Sequence, residues 1–176
     1  MTFRLRRGGP ADAAAICDLF HRSFTATFGH LYPPDDLAGF LAECSVPGFA
    51  AELSRPDFAV MLGESDVIAG DGSGRLLGYC TLGPEDLGIA RDRRWWVLRQ
   101  LYLEEAAKGI GLAQALMDWA LTESRARAMQ DLYLTVWVEN HRARRFYERQ
   151  GFIEVGAYAF KVGNTIDDDR ILKLSL

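Results

Sequence analysis

Apolar and polar positions alternate from the start of the chain. Phe3, Leu5 and Arg7 are interleaved with polar neighbours, the period-two pattern of a strand. The period changes at Pro10-Ala-Asp, after which Ala15, Ile16, Leu19 and Phe20 share one helical face. A second helical region is predicted over residues 34–53, broken near Pro47-Gly48, and its aromatic and apolar side chains read as core, with the wall of a substrate site as the alternative. Residues 58–62 and 75–82 predict two strands joined by a turn at Gly70-Asp71-Gly72, and residues 94–103 predict a longer strand. Over residues 109–128, Ile110, Ala113, Leu116, Met117, Ala120 and Leu121 recur at helical spacing, one buried stripe for packing on a sheet. Residues 131–138 predict an apolar strand and 140–150 a basic helix, with closing strands at 152–160 and 170–174. The order β-α-α-β-β-β-α-β-α-β-β specifies an α/β (α+β) fold, a mixed sheet with helices on its faces.

With 176 residues, 49% of them hydrophobic, the chain fits one domain spanning residues 1–176 with a sizeable core. A net charge of −4 argues against a sequence-independent nucleic-acid binder, which needs a basic excess. Arg142, Arg144, Arg145 and Arg149 read as the solvated face of one helix. Cys17, Cys44 and Cys80 are odd in number and far apart, so neither a disulfide framework nor a zinc site is indicated. His21, His30 and His141 lack neighbours at ligand spacing, and no metal is expected. The first ten residues hold no apolar leader core and no segment is long enough to span a bilayer, so the expected location is the cytoplasm, away from membrane. Trp95 and Trp96 are adjacent on a strand and must face opposite sides, with core packing the expected role.

Chemistry concentrates in two places. The stretch Leu101-Tyr-Leu-Glu-Glu-Ala-Ala-Lys-Gly-Ile-Gly-Leu-Ala113 runs from strand through a glycine turn into a helix. The unpaired N–H groups and partial positive charge of a helix N-terminus suit an anion, and glycines let a phosphate approach the backbone. Lys108, Gly109, Ile110, Gly111, Leu112 and Ala113 are therefore candidates to wrap a pyrophosphate. The dinucleotide fingerprint fails because Gln114 stands where its third glycine belongs, and no nucleotide P-loop sequence is present. In the second place, residues 138–152, Asn140 occupies an N-cap position, Ala143, Phe146 and Tyr147 share a helical face, and Gly151 suits the helix end.

Together, the strand with Leu101 and Leu103, the Lys108-Gly-Ile-Gly111 turn, the strand at 132–138 and the Asn140-x-x-Ala143-x-x-Phe146-Tyr147-x-x-x-Gly151-Phe152 pattern resemble the GNAT superfamily of N-acetyltransferases. The resemblance implies a central sheet of six to seven strands with helices on both faces and a splayed strand pair holding acetyl-CoA as co-substrate. It implies backbone contacts to pantetheine at Leu101 and Leu103, a phosphate cradle over 108–113, a cofactor contact from Asn140, and Tyr147 as the acid that protonates the departing thiolate. The acceptor it implies is a primary amine, of a small molecule such as a polyamine or amino-acid-like amine. A protein or peptide amine, and a non-catalytic acyl-CoA-binding module, remain open alternatives. The tail from Gly156 to Gly163, followed by Asp168-Asp169, looks like that of bacterial polyamine N-acetyltransferases.

Two positions depart from the family pattern. Ala106 stands where a Gln or Arg phosphate contact is usual, and Arg99 stands where many members carry a glutamate general base. Arg99 would disfavour a polycation and favour an amine bearing a carboxylate. Glu85, Asp86 and Glu104 are the replacement bases within reach by sequence, although loop carboxylates are more often merely solvated, and a water chain or an amine arriving already neutral are the alternatives. Apolar strands at the C-terminal edge would suit a homodimer.

Overall fold

A computed structural model describes residues 2–68, 74–89 and 93–176. Among the described residues seven strands form one sheet: β1 (Phe3–Arg7), β2 (Ala59–Ile68), β3 (Gly74–Gly83), β4 (Trp95–Leu103), β5 (Asp131–Trp137), β6 (Ile153–Val162) and β7 (Thr165–Ser175). Their spatial order is β1-β2-β3-β4-β5-β7-β6. Each neighbouring pair is antiparallel except β4 with β5. The helices are α1 (Ala13–Phe28), α2 (Pro34–Glu43), α3 (Val46–Leu53), α4 (Leu112–Ala126) and α5 (His141–Arg149). The turn expected at Gly70-Asp71-Gly72 lies outside the described residues.

Both faces of the sheet are covered. On one, Leu112, Leu116, Met117 and Ala120 of α4 pack with Ala59, Met61, Leu77, Cys80 and Leu98. On the other, Ile16, Leu19 and Phe20 of α1 pack with Val60, Leu62 and Tyr79. Alternate residues of β2 thus serve opposite cores, which is why its first half reads as an unbroken apolar run. Truncating Leu116, which has no exposed surface, is expected to lower unfolding free energy by about 2–5 kcal/mol, measured by urea titration of Leu116→Ala.

The predicted helical region at 34–53 breaks earlier than its Pro-Gly pair suggests. Ser45 is the N-cap of α3, its Oγ accepting from the Gly48 amide at 3.3 Å. Pro47 then sits in the first helical turn, where its missing N–H costs nothing. The last strand is longer than predicted because Ile166 to Asp169 continue the pairing with β6 despite their charge.

Helix α4 begins at Leu112, so Ile110 precedes it rather than opening its stripe. Leu112 is seated hard on the sheet where two glycines face it. A Cβ on Gly63 would lie 2.4 Å from Leu112 Cδ1, and one on Gly78 would lie 3.2 Å from Cδ2. This close approach fixes where the helix N-terminus stands relative to β4.

Candidate active site

The parallel ladder between β4 and β5 consists of Trp95–Asp131, Trp96–Leu132 and Val97–Tyr133, after which the strands part. On its other edge β4 stays paired with β3 as far as Gly78–Leu103, but the register shifts so that Leu82 faces Leu98 and Thr81 faces Gln100. Arg99 is the extra residue of this bulge, and a bulge bends the strand that carries it. Among the described residues the edge of β4 beyond Val97, including Leu101 and Leu103, consequently has no strand partner toward β5. The Leu103 carbonyl instead accepts from Ser23 Oγ at 3.2 Å. A cleft of about 570 Å³ runs through the gap, bordered by residues of both sheet faces.

On the α4 and α5 side, Lys108, Gly109, Ala113, Asn140, Ala143 and Tyr147 border this cleft. Gly109 and Gly111 have φ of +88° and +89°, a left-handed conformation that L side chains avoid. A Cβ at either position would meet no atom within 4 Å, so the backbone there is open to approach. Among the described residues no side chain caps the N-terminus of α4, leaving its first N–H groups for a ligand. The Lys108 ammonium is paired with Glu105 at 2.5 Å. Ala106, in the short turn before it, is exposed. Arg142 and Arg149, two of the arginines read as a solvated face, are exposed and also border this wall.

Helix α5 is held at both ends. Asn140 Oδ1 accepts from the Ala143 amide at 3.3 Å, a cap that leaves its NH₂ donors for other partners. At the other end Gly151 has φ of +93°. The Phe152 amide donates to the Tyr147 carbonyl at 3.1 Å and the Gly151 amide to the Glu148 carbonyl at 3.0 Å. This is a Schellman termination, and its usual apolar contact is made by Phe152 on Tyr147, with ring centroids 5.8 Å apart. Phe146 braces Tyr147 from a second direction at 5.4 Å. Burial, and secondarily Cys80, raises the Tyr147 phenol well above the usual tyrosine value, so it carries its proton at neutral pH.

On the α1 side the cleft is walled by Phe24, Phe28, Tyr32, Trp137 and Phe160, with Asp167 and Asp169 of β7 among them. Sequence reasoning placed neither this aromatic wall nor the two carboxylates in the site; the only available signal was the alternation of Asp167 and Asp169 along a strand. Arg99 does border the cleft, but it is occupied. Its guanidinium lies 3.0 Å from Glu52 and 2.5 Å from Glu85, donates to the Pro84 carbonyl at 2.9 Å, and sits 5.1 Å from the Phe58 ring centre. Glu85 is thereby an ion-pair partner of Arg99, Asp86 accepts from the Gly88 amide at 2.9 Å, and Glu104 is bound by Arg22 at 2.5 Å and Arg75 at 3.5 Å. All three replacement bases are engaged elsewhere.

Trp96 is buried against the α4 core and Trp95 packs on a third, smaller cluster with Val97 and Tyr133, consistent with roles in packing. Among the described residues no group of three or more histidines, cysteines or acids is placed to hold a metal, and no helix is long and apolar enough to cross a membrane.

Comparison with known proteins agrees with this fold. The family model described as the acetyltransferase (GNAT) family matches residues 13–152. An uncharacterized N-acetyltransferase of Lactobacillus delbrueckii subsp. lactis is 26% identical over 174 residues, covering 94% of this chain and 92% of the relative. In fold, the chain is similar to the PaiA N-acetyltransferase of Thermoplasma acidophilum, crystallised with coenzyme A, at a TM-score of 0.75 and 16% identity with both chains fully covered. It is also similar to Arabidopsis thaliana NAA60, crystallised with acetyl-CoA, at a TM-score of 0.76 and 16% identity over 99% of each chain.

Proposed function

Because this chain belongs to the acetyltransferase (GNAT) family, we propose that it binds acetyl-CoA on the α4–α5 side of the cleft and transfers the acetyl group to a small primary amine entering from the α1–β7 side. The observation that carries this reading is the continuity of one cleft from the glycine turn, past Tyr147, to the aromatic and acidic wall. Pantetheine lies along the unpaired edge of β4 at Leu101 and Leu103. The pyrophosphate rests on the backbone of 108–113, with Arg142 and Arg149 supplying the charge that Ala106 does not, and Asn140 contacts the cofactor through its amide.

Attack requires a neutral amine held against the thioester carbon, and confinement in the cleft supplies the proximity. As the C–S bond breaks, the developing thiolate takes the Tyr147 proton. A phenol still protonated at neutral pH is suited to that role, and a positioned acid contributes roughly 10²–10⁴-fold.

The acceptor side favours a cation. Arg99, which by sequence argued against a polycation, is answered by two glutamates, whereas Asp167 and Asp169 stand among aromatic faces that attract ammonium groups. Free-thiol release from acetyl-CoA with spermidine, putrescine, free amino acids and short peptides tests the acceptor class. Faster turnover of the small diamines and polyamines is expected; turnover of peptides alone would transfer the assignment to a protein acceptor. The edge strand β6 leaves Ile153 and Val155 exposed, which supports a homodimer.

A further inference from the structure

Among the described residues four carboxylates border the cleft: Glu104, Glu105, Asp167 and Asp169. Three have partners. Glu104 is clamped by Arg22 and Arg75, Glu105 holds Lys108, and Asp167 accepts the Tyr32 hydroxyl. The Asp169 side chain has neither hydrogen bond nor ion pair among the described residues, although the residue is only 7% exposed. An ionised carboxylate buried without a partner is costly, so such a group holds a proton or receives a cation. Its strand neighbours are Trp137 of β5 and Tyr158 of β6, which put it on the far side of the β4–β5 gap from the bulge. Asp167, two residues away on the same face, directs a second negative charge at the same space.

We infer that Asp169 is the general base that takes the proton from the acceptor ammonium, an assignment that rests on the transfer reaction proposed above. It supplies the base that Arg99 cannot. Asp169 accepts one proton from the R–NH₃⁺ group and passes it to water. The neutral nitrogen attacks the thioester carbon, forming the C–N bond, and the C–S bond breaks with its electron pair on sulfur. Sulfur takes the Tyr147 proton, and the extra proton on the new amide nitrogen returns to the Tyr147 phenolate. The balance is amide, CoA thiol and one proton released.

The surroundings suit the task. Burial, then the charges of Asp167 and Asp168, raise the Asp169 carboxyl to about 7. Asp168 is itself tied to Arg170 at 2.7 Å. The other titratable groups facing it are Tyr158 of β6, Tyr102 of β4 and Tyr32, whose phenols burial pushes up. Arg99 borders the same cleft but is neutralised by Glu52 and Glu85. A base with a raised pKa is protonated and idle below it and ionised above it, so kcat/KM rises with pH through about 7. A bound ammonium favours the carboxylate, so the corresponding limb in kcat lies lower.

The test is the pH profile of thiol release for the wild type and for Asp169→Asn, using whichever amine of the panel the wild type turns over. The Asn variant is expected to bind acetyl-CoA as the wild type does and to lose about tenfold or more in kcat/KM near neutral pH. Its deficit should shrink as pH approaches the amine's own pKa near ~10, where the free base supplies itself. Asp169→Glu is expected to restore a limb near neutrality. An Asn variant with the wild-type profile would overturn the assignment while leaving the Tyr147 chemistry intact. Should Asp169→Asn fail to melt cooperatively, the wild-type profile decides, since a kcat/KM flat from about pH 6 to about pH 8 excludes this base. A wild type that releases no thiol with any amine overturns both the base and the reaction it serves.

Discussion

Tyr147→Phe is expected to lower kcat by roughly 10²–10⁴-fold while leaving the acetyl-CoA dissociation constant unchanged, as read by saturating thiol-release kinetics and calorimetry on one preparation. The substitution removes a single oxygen. The ring remains held by the contacts to Phe146 and Phe152 and by the Schellman termination at Gly151, none of which involves the hydroxyl. The hydroxyl makes no hydrogen bond among the described residues, so its loss leaves no buried partner stranded and stability should change little. What is lost is the proton for sulfur. A thiol of pKa near ~8.5 leaves poorly as a bare anion, and in the proposed reaction the phenol delivers a proton where that charge develops. Unchanged kcat at saturating substrate would remove Tyr147 from the chemistry.

Gly109→Glu should weaken acetyl-CoA binding by about thirtyfold, equivalent to ~2 kcal/mol at a partly buried helix N-terminus. Two effects act together. A non-glycine residue at φ of +88° is strained, by about 1–3 kcal/mol. The new carboxylate also enters open space at the uncapped end of α4, where it takes up the N–H groups that a phosphate would use. Gly109→Ala separates the two, since it carries the strain without the charge and should bind acetyl-CoA more tightly than the Glu variant. Equal affinities for wild type and Gly109→Glu by calorimetry would place the pyrophosphate elsewhere.

The helices and strands, the Asn140 cap and the glycine turn were legible because each is encoded locally. Periodicity reports which face of a segment is buried, and a glycine two residues from another marks a backbone that side chains must avoid. What the sequence hid depends on distant partners. Arg99 could be seen to occupy an unusual position, but its neutralisation by Glu52 and Glu85 arises only when the α3 end and the β3–β4 loop meet the bulge. Arg142 and Arg149 lie on an exposed helix face that also borders the cleft, and a charge pattern alone does not separate these conditions. Asp169 was visible only as part of an acidic tail. Its isolation follows from strand pairing of β7 with both β5 and β6, and from Tyr32 taking Asp167, a residue 135 positions further along the chain. The early break before α3 was missed for a smaller reason: a proline reads as a helix breaker, yet in a first turn behind a serine cap it opens one.

The most direct measurement is thiol release from acetyl-CoA by the purified protein as a function of primary amine concentration, with acetyl-CoA binding followed calorimetrically in the same preparation. Release that saturates in both acetyl-CoA and amine, with the acetylated amine recovered in equal amount, is the expected result. Tight acetyl-CoA binding with no amine-dependent release would contradict it and leave a cleft that binds the cofactor without transferring its acetyl group.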